Sequence, residues 1–279
     1  MNLRRLVQEA LDEDLGKGDL TTEACVPRDA RGGGVVRAKQ SVIVCGHEPA
    51  GEVFRAVGER VGGEVRYTPV RADGEQAVVG DVIAEVEGSL AGILVGERLA
   101  LNFLMRLCGI ATHTRRYVDA AAGSVKVVDT RKTTPLMRVL EKHAVRCGGG
   151  MNHRFGLNDG VMVKDNHIRA VGSLAEAVKL ARAGAHHVVR VEVEVSSMAE
   201  LATALGTDAD VIMLDNFADD TLAEAVAFAR AERPGVILEA SGNMSPERIA
   251  AIRDVGLDFV SAGGLIHQAR WADLSLSLS

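Results

Sequence analysis

Leu3, Leu6, Val7, Ala10 and Leu11 recur at three- and four-residue spacing among charged residues, which predicts an amphipathic helix over residues 1–15, ending at Gly16. A polar turn follows at 18–22. β-branched residues become frequent between Gly34 and Val44, where one or two strands are predicted. Val53, Phe54 and Val57 put an apolar face on a helix over 47–57. Residues 64–70 and 81–87 read as strands, with Asp73-Gly74 as a turn between them. A long amphipathic helix is predicted over about 91–121, interrupted near Cys108-Gly109 because glycine weakens a helix interior.

Beyond this helix the pattern becomes rhythmic. Short β-rich runs begin near Lys126, Val161, Val188, Val211, Val236 and Phe259, and a helical stretch follows each. Their starts lie 23 to 35 residues apart, the spacing of βα units. Parallel strands need crossover helices, and a ring of such units is a (β/α) barrel. Six units fall short of eight, which leaves an incomplete barrel or a doubly wound sheet. The change in texture sets a domain boundary near residue 110. Residues 1–110 would form a mixed α/β domain and 111–279 the βα domain, with the C-terminal tail able to pack back on the first. A length of 279 residues suits two small domains at about 150 residues each.

Composition narrows the function. The chain is 47% hydrophobic and 25% charged, enough to bury a core and too apolar for general disorder. A net charge of −6 gives no bulk attraction to nucleic acid, so any anionic ligand must be gathered by a local basic cluster. No run approaches the roughly 18 apolar residues of a membrane span, and the first residues lack the apolar core of a secretory signal. No membrane partner and a cytoplasmic location are therefore expected. Cys25, Cys45, Cys108 and Cys147 stand far apart without a C-x-x-C pair, which argues against a structural zinc site or a disulfide framework. They read as buried thiols.

Barrel enzymes carry their chemistry where strands end, so the strand ends hold the candidate site. The first two ends and the loop between them are cationic: Arg131, Lys132, His153, Arg154 and Lys164. The middle ends are acidic, at Glu192 and Asp215. The last are small and glycine-rich, at Ser241-Gly242 and Gly263-Gly264. A lone basic residue usually pairs with a surface acid, and His153 taken alone could be an ordinary loop histidine. Several together imply a ligand with an anionic part, a hydroxylated or metal-bound part and a phosphate. Glu192 and Glu194 share a strand face; Glu192, nearer the interior, is taken as the site residue and Glu194 as a structural ion pair. Ser245-Pro246-Glu247 reads as a helix start near the late ends, where barrels commonly bind phosphate.

These stretches resemble the quinolinate phosphoribosyltransferase family. The resemblance runs through LDEDLGKGDLTT (11–22), GERLALNFLMRLCGIAT (96–112), DTRKTTP (129–135), AVRCGGGMNHRFGLNDGVMVKDNH (144–167), VEVEV (191–195), IMLDN (212–216), EASGN (239–243) and SAGGLIH (261–267). It implies an α/β fold with an N-terminal α/β sandwich domain and an incomplete (β/α) barrel of fewer than eight strands. It also implies transfer of a phosphoribosyl group to quinolinate with decarboxylation. Carried over by position, Thr130, Arg131, Lys132, His153, Arg154 and Lys164 would bind quinolinate, with Arg98 lent by the partner in a homodimer. Glu192 and Asp215 would meet the ribose hydroxyls and Mg²⁺, and Ser241, Gly242, Gly263 and Gly264 the 5′-phosphate. Lys132, Lys164, Glu192 and Asp215 would be catalytic. The chain departs from the family at Leu136, where Gly usually follows Pro, at Cys108, where Ser is common, and near His267.

Two other readings stand beside this one. Lys164 at a strand end could form a Schiff base in a lyase. The chain could also be a non-catalytic anion- or nucleotide-binding relative of the molybdenum-transport-associated type. The intact DTRKT, NHR and KDNH segments favour the dicarboxylate enzyme.

Overall fold

The computed structural model describes residues 2–279. Residue 1, the start of the first predicted helix, lies outside them. The elements in chain order are α1 (Leu3–Leu15), α2 (Leu20–Cys25), β1 (Arg31–Ala38), β2 (Val42–Ile43), α3 (His47–Val61), β3 (Val65–Pro69), β4 (Gln76–Ala77), β5 (Val82–Ser89) and α4 (Leu90–Ala121). There follow β6 (Lys126–Val128), α5 (Arg138–Cys147), β7 (Val161–Val163), α6 (Asp165–Val171), α7 (Leu174–Gly184), β8 (Val191–Val195) and α8 (Met198–Leu205). The chain ends with β9 (Val211–Asp215), α9 (Asp219–Glu232), β10 (Ile237–Ser241), α10 (Pro246–Ile252), β11 (Phe259–Ser261), α11 (Gly264–His267) and β12 (Leu274–Leu278).

Two compact units result. Among the described residues, one holds 2–115, 134–149 and 268–279, and the other 116–133 and 150–267. The division is discontinuous: residues 134–149, expected with the βα domain, group with the first unit, as does the C-terminal strand.

In the first unit an antiparallel sheet runs β12-β1-β5-β3. The helix α3 lays Ala50, Val53, Phe54 and Val57 into the core, and Phe54 stacks on Tyr67 of β3 at 5.7 Å between ring centroids. Burying a side chain of this size stabilises by roughly 1.5–3 kcal/mol. The predicted interruption of α4 does not occur; the helix runs unbroken for 32 residues. Gly109 serves close approach instead. A Cβ there would stand 2.1 Å from the carbonyl oxygen of Arg270, so only glycine lets the C-terminal segment pack against the helix. The cysteines differ from the expectation of buried thiols. Cys45 and Cys108 are buried, but Cys25 is exposed and Cys147 half-buried.

In the second unit six parallel strands run β6-β11-β10-β9-β8-β7. Sequential neighbours from β7 to β11, closed by β6, are the order of a barrel opened between β6 and β7. A doubly wound sheet would instead reverse direction at an internal strand. Val191, Val193, Val195, Ile212, Leu214, Leu238, Ala240 and Val260 are buried on the helix-facing side. The alternate residues, including Glu192, Glu194, Met213, Asp215, Glu239 and Ser241, share the opposite face by the period-two rule. Among the described residues no helix is long and apolar enough to cross a membrane.

Candidate active site

The carboxyl ends of these strands surround a cavity of about 480 Å³. Thr130, Arg131, Lys132, His153, Arg154, Lys164, Asp215, Ser241 and Gly242 all line it, together with Glu194 and Asn243. Sequence positions spread over more than a hundred residues thus meet because parallel strands bring all their ends to one side. Lys132 and Arg131 are exposed on the loop after β6, where the Lys132 amide donates to Thr130 Oγ1 at 3.0 Å. Lys164 follows β7, at the N-cap of α6, and forms an ion pair with Glu194. Burial, and then the neighbouring charge of Arg131, lowers the pKa of Arg154. Two guanidiniums that disfavour each other across a cavity form a receptor for an anion, which would relieve the repulsion.

The loops after β9 and β10 turn back through left-handed backbone. Asn216 has φ 57, Gly242 φ 95 and Asn243 φ 48. A Cβ on Gly242 would stand 2.2 Å from Asn216 Oδ1, so the two loops can lie together only with glycine at this position. Beyond them Ser245 caps α10, accepting from the Arg248 amide at 3.2 Å, with Pro246 in the first turn, as its sequence predicts. Gly263 and Gly264 open α11 and do not line the cavity, yet Gly263 abuts it. A Cβ there would meet Lys132 Cδ at 2.7 Å and Thr130 Oγ1 at 3.3 Å.

Glu192 lies elsewhere. It is buried below the strand ends and lines a second cavity of about 440 Å³ with Glu239, His153 and Arg154. His153 Nε2 stands 3.2 Å from a Glu192 oxygen and 3.5 Å from one of Glu239. Burial opposes a charge on the imidazole, but hydrogen bonds to the two carboxylates outweigh it and raise the pKa to about 10. Burial raises the Glu192 carboxyl above its ordinary value against the pull of His153. The amide of His153 donates to Asp129 Oδ1 at 3.0 Å, which anchors the backbone that carries the ring.

Of the two acids on β8, it is therefore Glu194 that shares the cavity with Lys164 and Asp215. The ion pair expected of Glu194 exists, but with a cavity lysine. Residues i and i+2 share a face, so periodicity could not separate them; their depth along the barrel does. Glu239 had no signal beyond its place two residues before Ser241. Arg98 is exposed on α4 and lines neither barrel cavity.

The family profile described as quinolinate phosphoribosyl transferase, N-terminal domain, matches residues 19–108, and that of the C-terminal domain matches residues 110–277. A Synechocystis protein named "Probable nicotinate-nucleotide pyrophosphorylase [carboxylating]" is 41% identical over 98% of this chain and 91% of its own length. The nicotinate-nucleotide pyrophosphorylase (carboxylating) of Mycobacterium leprae is 38% identical, covering 99% of this chain and 96% of its own. The solved nicotinate-nucleotide pyrophosphorylase of Francisella tularensis superposes with a TM-score of 0.92 at 37% identity, over 99% of this chain and 96% of that one.

Proposed function

Since the chain belongs to the quinolinate phosphoribosyl transferase family, we propose that it transfers the phosphoribosyl group of 5-phosphoribosyl-1-pyrophosphate to the ring nitrogen of quinolinate. Loss of CO₂ gives nicotinate mononucleotide, with pyrophosphate released, a step of de novo NAD biosynthesis. The observation that carries this reading is the convergence of Arg131, Lys132, Arg154 and Lys164 on one cavity with Asp215, Ser241 and Gly242.

Both substrates are polyanions that repel each other in water. Planar guanidiniums at Arg131 and Arg154 suit bidentate capture of the two quinolinate carboxylates, and Lys132 and Lys164 add point charges. Held there, the pyridine nitrogen attacks the anomeric carbon as the bond to pyrophosphate breaks. Positioning supplies much of the acceleration. Glu194 and Asp215 face the side where ribose hydroxyls would lie, and the amides of residues 242–243 suit the 5′-phosphate. The alkylated, positive ring then accepts the electron pair left at C2 when CO₂ departs, and that carbon takes a proton. This step is chiefly the substrate's own chemistry, so no strong general base is required.

Asp215 and Glu194 offer oxygen donors alone, which suits Mg²⁺ held mainly by substrate phosphates; bound there, it would stabilise the departing pyrophosphate charge. The Lys164 nitrogen is taken up by an ion pair with Glu194, which disfavours the Schiff-base reading.

The deciding assay compares quinolinate with nicotinate. A site with cations dedicated to a second carboxylate leaves them unpaired with nicotinate, so kcat/KM should fall by roughly 10⁴-fold or more. Comparable use of both acids would sink the assignment. Arg98 would complete the pocket from a second copy of the chain. Mixing inactive Arg98→Ala and Lys132→Ala proteins should then restore about a quarter of the wild-type activity, because one site of each mixed dimer escapes both lesions. A mixture that stays inactive after proven subunit exchange would place Arg98 in its own chain's site.

A further inference from the structure

In the first unit, four side chains from three distant segments converge away from the barrel. Cys45 follows β2, Asp73 sits in the turn before β4, and His143 and Cys147 are four residues apart on α5. One donor atom from each lies within 4.8 Å of all the others. We propose that Cys45, Asp73, His143 and Cys147 bind one zinc-class divalent cation, with two sulfurs, an imidazole nitrogen and a carboxylate oxygen as ligands.

The donor set fits. Zinc takes four ligands tetrahedrally from Cys, His and Asp, at about 2.3 Å for sulfur and 2.0–2.2 Å for nitrogen and oxygen. Neighbouring ligands in such a tetrahedron stand about 3.3–3.8 Å apart. Cys147 Sγ lies 3.4 Å from His143 Nε2, and His143 Nε2 lies 3.0 Å from Asp73 Oδ2. Shifts of a few tenths of an ångström would close the polyhedron. Two thiolates alone would neutralise a divalent charge, the carboxylate would leave the site one negative charge in excess, and sulfur with imidazole selects zinc over the oxygen-seeking Mg²⁺ and Ca²⁺.

The surroundings hold the ligands in place. The Gly46 amide donates to Asp73 Oδ1 at 3.1 Å, which orients the carboxylate and leaves Oδ2 towards His143. Cys45 is anchored on both sides of its peptide: its amide donates to Cys108 Sγ and its carbonyl accepts from the same thiol, each at 3.3 Å. Helix α5 presents His143 and Cys147 on one face, as i, i+4 positions must. Cys45 is wholly buried whereas the His143 side chain is half-exposed, so an ion can enter from solvent and close over a buried floor. Only His143 and Cys147 among these four donors are close in sequence, so no C-x-x-C pair marks the cluster.

The test uses the reduced, chelator-stripped full-length protein. Titration with zinc against a chromophoric chelator should give one tight equivalent per chain. Cobalt in its place should show the intense visible bands and sulfur charge-transfer band of a tetrahedral thiolate site. Zinc should also protect Cys147 in the wild-type protein from alkylation, a readout that needs no variant. Each of His143→Ala and Cys147→Ser should weaken binding by more than about 100-fold, since even outer-shell changes cost 10–100-fold. Absence of stoichiometric uptake, uptake undiminished in both variants, or air oxidation joining Cys45 to Cys147 in a protein that takes up no zinc when reduced would each overturn the proposal.

Discussion

Charged side chains occupy two levels of the same six-stranded barrel and are handled differently. At the strand ends Arg131, Lys132, Arg154 and Lys164 surround a cavity whose lining acids, among the described residues, are Glu194 and Asp215. Below them Glu192 and Glu239, each under a tenth exposed, close on the single imidazole of His153. The upper level leaves positive charge to be answered by something arriving from solution. The lower level sets its acids against a histidine supplied by the protein itself. Excess cations accessible to solvent mark a binding site, whereas buried acids around one histidine mark a structural support for it. His153 belongs to both levels, since it lines the upper cavity while holding the lower acids.

That division is tested most severely at His153. Replacing it by Asn leaves two carboxylates buried without their counter-charge, and unfolding free energy should drop by about 3 kcal/mol, as for other broken buried pairs. The effect should depend on pH. The native imidazole holds its proton up to about 10, against roughly 6.5 in the unfolded chain. Its contribution is therefore complete below about 6.5 and fades as pH rises through 10. Urea midpoints of wild type and His153→Asn should differ widely near pH 6.5 and converge near pH 10. A gap that widens with pH would mean that the histidine is not the charged partner.

At the upper level the expectation is a functional loss without a structural one. Lys132 is exposed on a loop, so Lys132→Ala removes charge and no core volume. kcat/KM for quinolinate should fall by about 10²-fold, the scale of losing one charged donor from an active site. The melting temperature should stay within a degree or two. Lost stability with unchanged kinetics would move Lys132 to the supporting level.

How much of this could be read from the chain follows from what each level depends on. The six strand starts were legible because the βα period is local and regular. The third was set three residues early, since the Val188-Val189 pair looks strand-like, yet Val188 is exposed and pairing with β9 begins only at Glu192. The cationic strand ends were legible because topology delivers every strand end to one side. The pairing of Glu192 with Glu239, and the meeting of Cys45 and Asp73 with His143 and Cys147, depend on depth and on long-range register. No local pattern encodes either. Gly109 shows the same limit: its role is set by a carbonyl more than 150 residues away.

The smallest effect is expected at Leu136, just past the cationic loop. Its φ is 66°, in the left-handed region, and its side chain is largely exposed. A branched side chain in that conformation costs roughly 1–2 kcal/mol, and Leu136 recovers little by burial. The family resemblance has glycine at this position, which adopts the same backbone freely. Glycine also gives the unfolded chain more freedom, which offsets part of the gain. Leu136→Gly should therefore stabilise by about 1 kcal/mol, raising the melting temperature by roughly 2–4 °C. The pH convergence at His153 and the kinetic loss at Lys132 should carry over unchanged into this variant, since neither depends on the strain. An unchanged or lower melting temperature would mean that the turn relaxes without cost around leucine, and that the family's glycine there answers some need other than backbone conformation.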